Sequence, residues 1–153
     1  MQFLLLFLAI SWYLNLENNN YIIRITKEVI ANHIFGLSIY YVRLRRDWSK
    51  GSKLIFLKKT DITDEDTFIG IGTIEKTFEP SELNFVERKI CIENNYYKKI
   101  VFGKLVKFVP ELPIKHTQIF SLKQRAPLLH GMQISDSEIL NIESLDSIMI
   151  TTY

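Results

Sequence analysis

The chain has 153 residues, of which 47% are apolar and 24% charged, with a formal net charge of +2. That length and balance support one core without metal or disulfide staples, and exclude a disordered or fibrous chain and a histone-like or ribosomal basic coat. The single cysteine, Cys91, excludes an internal disulfide framework and any multi-cysteine zinc site.

The first 14 residues, MQFLLLFLAISWYL, are nearly all apolar. The stretch is shorter than the ~20 residues of a membrane-spanning helix. It also lacks the basic n-region of a signal peptide, since the first basic residue is Arg24. Residues 1–10 therefore read as an apolar extension or the first part of a strand, and 11–153 as a single domain opening with a buried strand at 11–16. Export after cleavage at Ser11, in its small-x-small spacing with Ala9, and a start codon placed too early are the alternatives. The polar run ENNN at 17–20 offers an Asn helix cap. In YIIRITKEVIANHIF, Ile22, Ile25 and Val29 share one face, away from Arg24, Lys27, Glu28 and Asn32. This predicts an amphipathic helix ending near Gly36.

Residues 39–45 alternate, with Val42 and Leu44 on one face and Arg43 and Arg45 on the other, which predicts a strand. After a turn at Gly51, KLIFLK (Lys53–Lys58) reads as a buried strand. The acidic run at 61–67 reads as a solvated loop, lacking the glycine and terminal glutamate of a calcium loop. FIGIGTIEK at 68–76 reads as a strand whose two glycines mark a bulge or a close backbone approach. Glu79 and Pro80 open a long connection to Tyr97. A long strand at 99–109 is stopped by Pro110 and Pro113, and 117–122 reads as one more short strand. Ser135 and Glu138 fit a capping box opening a short helix, SDSEILNIE. The fold class is α+β: five to six strands in one curved sheet or open barrel, with helices near both ends.

Catalytic signatures are sparse. GIG at Gly70–Gly72 lies inside a strand and is not a phosphate loop, and no GxSxG elbow is present. His33, His116 and His130 are scattered, and Cys91 reads as a buried small residue. Two features point outward. Arg43, Arg45, Arg46, Lys50 and Lys53 form a basic cluster, which suits phosphate contacts or a charged edge that discourages aggregation. Phe35, Tyr40, Tyr41, Trp48, Phe85, Tyr96 and Tyr97 lie at element ends or in loops, where aromatic rings can stack on unpaired bases. Most of these should be core residues, and Trp48, just before a turn, should pack inward.

Four segments in order carry a family likeness: WYLNLENNNYIIRI; HIFGLS; GSKLIFL followed by FIGIGTIEKTFEP; and KKIVFGKLVKFVPELPIKH. Over residues 11–143 this order resembles the PUA-like superfamily, in its EVE and YTH-like branch. The resemblance implies a PUA-like fold and a non-catalytic domain that recognises a modified base, N6-methyladenine or a modified cytosine, in RNA or DNA. By position, Phe35 matches the first aromatic wall, where the branch usually has Trp, with Gly36 and Leu37 giving backbone contacts. Asn18 and Asn20 lie in the polar loop that offers an Asn to the base, and Tyr96 and Tyr97 lie near the second wall. Lys123 and Arg125 match a later basic loop; with Arg43 and Arg45 they are the expected phosphate contacts. No cofactor, metal or membrane partner is implied, and the expected location is cytoplasmic. The related ASCH branch implies an alternative, a small amidohydrolase acting on modified nucleosides, with Lys58, Thr73 and Glu75 converging. A third reading is an interaction module without a base pocket.

Overall fold

The computed structural model describes residues 18–60, 66–119 and 129–151. The expected strand at 11–16, Lys123, Arg125 and most of the acidic loop lie outside the described residues.

Isoleucine decides the first element. Ile22 and Ile23 are both fully buried. Neighbours in sequence point to opposite sides only in an extended chain, so burying both requires a strand covered on both faces. β-Branched residues suit that conformation. Strand β1 is accordingly Asn20–Ile25, where a helix was expected. Helix α1 begins only at Glu28 and ends at Leu37, with Ser38 in the left-handed region and its N–H on the carbonyl of Ile34. The apparent helical period ran together buried strand residues and Val29, which is exposed.

Strands β2 (Ile39–Val42), β3 (Lys53–Lys58), β4 (Thr67–Phe78), β5 (Lys98–Pro113) and β6 (Gln133–Ile134) complete one curled, half-barrel sheet. Its order is β2-β5-β4-β3-β1-β6. Among the described residues only the β1–β3 pair is parallel, with Tyr21 opposite Leu54 and Ile25 opposite Lys58. Each face carries its own core. Ala31 and Ile34 of α1 pack with Ile23, Leu54, Phe56 and Phe102 on one side. On the other, Ile139 and Ile142 of the C-terminal helix pack with Ile22, Ile55, Leu57 and Phe108. That helix, α3, spans Asp136–Thr151, and the helix before it, α2, spans Phe85–Asn94. Alternate residues of KLIFLK thus serve two cores, which is why the run reads as continuously apolar.

Several expected boundaries move. β2 ends at Val42, where the strand was expected to reach residue 45. β5 runs through Pro110 to Pro113, where it was expected to stop. β2 pairs with β5 only over Lys98–Val101; beyond that β5 is laddered to β4 alone among the described residues, so a proline has a side on which no N–H is needed. The long connection contains α2, opened by the Asn84 side chain accepting the Glu87 N–H. Residues 114–119 form tight turns where a strand was expected from 117, the remainder of that segment being outside the described residues. Asp66, expected in a solvated loop, is buried and accepts from Arg24 Nε at 2.8 Å and the Thr60 N–H at 3.0 Å. The capping box at α3 forms as expected: Ser135 Oγ accepts the Glu138 N–H and Glu138 Oε2 accepts the Ser135 N–H. α3 continues well past the expected short helix.

Candidate functional site

The end of β1, the first half of α1, β2 and the residues before β5 surround a groove of about 510 Å³. β2 supplies one wall. Its register sets Tyr40 opposite Ile100 and Tyr41 opposite Lys99. The Tyr41 ring stacks on Tyr96, centroids 5.5 Å apart and 24° between planes. The Arg43 guanidinium lies 5.4 Å from the Tyr96 centroid, and its Nε donates to the Asn94 carbonyl at 2.9 Å. The stack is braced from behind: Tyr41 OH donates to Glu87 Oε1 at 2.8 Å, and Lys99 Nζ donates to the same oxygen. Burial, and then the Glu87 hydrogen bond, push the Tyr41 phenol well above its ordinary range. Burial, with Tyr96 nearby, pushes Tyr40 up to about 12. Both phenols therefore stay protonated at neutral pH. Glu87 is held below the usual carboxylate range by Lys99 first and Tyr41 second.

The opposite wall is basic. Arg24, Lys27, His33 and His130 line it, and no carboxylate lines the groove among the described residues. Arg24 is anchored by the Asp66 ion pair, the two side chains being 8% and 0% exposed. The Arg24 backbone N–H donates to His130 Nδ1 at 3.0 Å, which puts the ring proton of neutral His130 on Nε2. Burial first, then Arg24 and Arg46, lower the His130 pKa, so the ring is neutral at pH 7. A groove walled by Arg24, Lys27 and Arg43, with no facing acid among the described residues, concentrates positive potential.

Of the residues expected from the sequence, the groove brings together Tyr96 and Arg43. Arg45 and Tyr97 lie beside them as a second cation–ring pair, 4.6 Å apart. Phe35 packs edge-on against Phe56 and does not line the groove. Its ring sits over Gly70: a Cβ there would lie 2.7 Å from Phe35 Cζ and against the Val106 carbonyl. This is the close backbone approach that the glycines announced. Gly36 and Leu37 are exposed at the far end of α1. Asn20 is buried at the start of β1, its amide donating to Asp136 and its carbonyl accepting the Lys53 N–H. Asn18 lies beside Gly51. Five residue-to-residue steps of strand, about 16 Å, separate Asn20 from Ile25 at the groove end.

The residues of the expected hydrolase set do not converge. Lys58 sits at one end of β3 opposite Thr67, and Thr73 at the other end opposite Lys53. Lys58 is paired with Glu28 and Glu111, and Glu75 with Lys50. Cys91 is buried on α2, and burial raises its thiol pKa. Arg24 escaped the sequence reading because the first strand was read as a helix; Lys27 was read as part of that helix's polar face, and His33 and His130 were read as scattered because only the tertiary packing brings them together. The signal available was the β-branched run IIRI followed by a polar pair.

Neither protein-family models nor curated proteins yield a match to this chain. Solved structures do. The ASCH protein from Zymomonas mobilis superposes with a TM-score of 0.60 at 9% identity, covering 83% of this chain and 95% of that one. The Mmi1 YTH domain superposes with a TM-score of 0.55 at 17% identity, covering 89% of this chain and 79% of that one. The fold is PUA-like. In this PUA-like sheet, β3 and β4 are the GSKLIFL and FIGIGTIEKTFEP segments, and β5 is the long strand of the fourth segment. Among the described residues no helix is long and apolar enough to cross a membrane.

Proposed function

We propose that this PUA-like domain is a non-catalytic nucleic-acid-binding module that takes an unstacked base into the groove, against Tyr96. The observation that carries this reading is the Tyr41–Tyr96 stack under Arg43 in a groove that, among the described residues, no carboxylate lines. A base offers a π face, which a tyrosine wall meets for about 1–3 kcal/mol. The cations meet the phosphates that accompany it. The likeness to a YTH domain and an ASCH protein supports the same direction. The finer proposal is that the base is modified, N6-methyladenine or a modified cytosine. A buried methyl group adds about 0.8 kcal/mol against an apolar wall, and Val29, Ile30 and Ile39 supply apolar surface there. Arg45, beside Tyr97, extends the phosphate track outward.

The test is a fluorescence-anisotropy titration at low and moderate salt. The probes are single-stranded and duplex RNA and DNA, with and without N6-methyladenine or 5-methylcytosine. One modified strand should bind tightest. Tyr96→Ala should weaken it by about tenfold or more, as loss of one stacking partner requires. Arg43→Ala should weaken all sequences alike and reduce the salt slope by about one. Absence of binding to every strand at low salt overturns the reading; equal binding of modified and unmodified strands removes the modified-base part alone.

A further inference from the structure

At the α1 end of the groove, Arg24 holds a hydrogen-bond donor that no described residue accepts. Its side chain is 8% exposed, and Nε is committed to Asp66. Its Nη2 is buried and has no acceptor among the described residues. A buried guanidinium N–H without an acceptor is costly, and in native proteins such a group calls for an explanation. The same corner contains an open helix end. Lys27, at the N-cap of α1, is extended, and no side chain caps the helix. The Ile30 N–H donates to the Lys27 carbonyl at 3.1 Å, which leaves the Glu28 and Val29 N–H groups at the positive end of this ten-residue helix's dipole for an outside acceptor. Val29 and Ile30 of that turn line the groove. Glu28, the acid that would compete for those N–H groups, is drawn to Lys58 at 3.3 Å.

We propose that this corner is a phosphate site, so that the groove takes a whole nucleotide, the phosphate at Arg24, Lys27 and the α1 N-terminus and the base toward Tyr96. Three phosphate oxygens match three kinds of donor: the spare guanidinium edge, the Lys27 ammonium and the backbone N–H groups. The volume of about 510 Å³ lies within the range of small-ligand sites. The identity of the ligand as a nucleotide rests on the base-binding reading above; the anion site rests on Arg24 and the helix end.

Calorimetric titration of the full chain separates the two. The ligands are adenosine, cytidine, their 5′-monophosphates and inorganic phosphate. At least one monophosphate should bind about tenfold or more tighter than its nucleoside, as charge-assisted hydrogen bonds require, and inorganic phosphate should compete with it. Lys27→Gln, an exposed change, should reduce that advantage severalfold. Arg24→Lys, which keeps a charge beside Asp66 but loses the second nitrogen arm, should abolish it, with folding checked by circular dichroism. If Arg24→Lys does not fold, Lys27→Gln and the wild-type comparison decide. Equal binding of nucleoside and monophosphate, an advantage unchanged in both variants, or no binding of any phosphate compound overturns the proposal. Lys27-dependent phosphate binding without Tyr96-dependent binding of any oligonucleotide keeps the anion site and ends the base reading. Tyr96-dependent oligonucleotide binding with no phosphate advantage does the reverse.

Discussion

Gly70 and His130 show how single residues set the limits of this sheet. A Cβ at Gly70 would collide with Phe35 and with the Val106 carbonyl. The ring could yield, but the carbonyl belongs to β5 and cannot. Gly70→Ala should therefore destabilise by about 1–3 kcal/mol, the usual cost of overfilling a packed site, read from the denaturation midpoint. Phe35→Leu in the same chain should restore only part of it, because the backbone clash remains. His130 gives a pH dependence of definite sign. Its folded pKa lies below the ordinary value of about 6.5, through burial and two arginines. As pH falls from 7 toward that folded pKa, the unfolded chain takes up a proton that the folded ring resists. Stability contributed by the neutral ring is thus present above about pH 6.5 and lost below it. His130→Gln, which can still accept the Arg24 N–H, should flatten the fall in melting temperature between pH 7 and 5.

At the element scale, the two caps differ in what they connect. At α3, Ser135 and Glu138 satisfy each other's backbone N–H groups. Ser135→Ala should cost about 1 kcal/mol, or roughly 2–4 °C in melting temperature for a chain of this size. At α2, Asn84 holds Glu87 in the first turn, and Glu87 in turn holds Tyr41 and Lys99. A helix whose one buried residue is Cys91 is therefore tied to the groove wall through one carboxylate. Its outer face leaves Phe85, Val86 and Ile92 exposed. The Asn84-x-x-Glu87 spacing was legible as a helix start; the weak apolar periodicity that follows hid it. β1 failed for the opposite reason. Its apolar spacing happened to fit a helical period, and only burial on both faces revealed a strand.

For the whole molecule, one sheet separates two apolar cores, one under α1 and one under α3. β1, β3 and β4 contribute side chains to both, so neither core can be lost alone. Heat should therefore melt the chain in one transition. With Trp12→Phe isolating Trp48, which packs on Tyr21 in the α1 core, tryptophan fluorescence and far-ultraviolet circular dichroism should give coincident midpoints. Two separated midpoints would show that the cores unfold independently.

Local patterns in the chain were enough for the buried strands β3 and β4, the glycine approach in β4, the inward packing of Trp48 and the cap of α3. Each rests on a local rule: a short apolar run, a missing side chain, a spacing of three. The chain also carried the order of segments that resembles a PUA-like domain, and the fold agrees with it. The position of the groove came from long-range packing. The groove wall joins residues 24–33, 39–43, 94–96 and 130, which are distant in the chain and become neighbours through the parallel β1–β3 pairing and the β2–β5 ladder. No local pattern records that Asn20 faces Asp136 while Arg24, four residues on, faces Asp66. That difference arises because long-range pairing, which costs chain entropy and is repaid only by the assembled cores, fixes which end of a strand meets which loop.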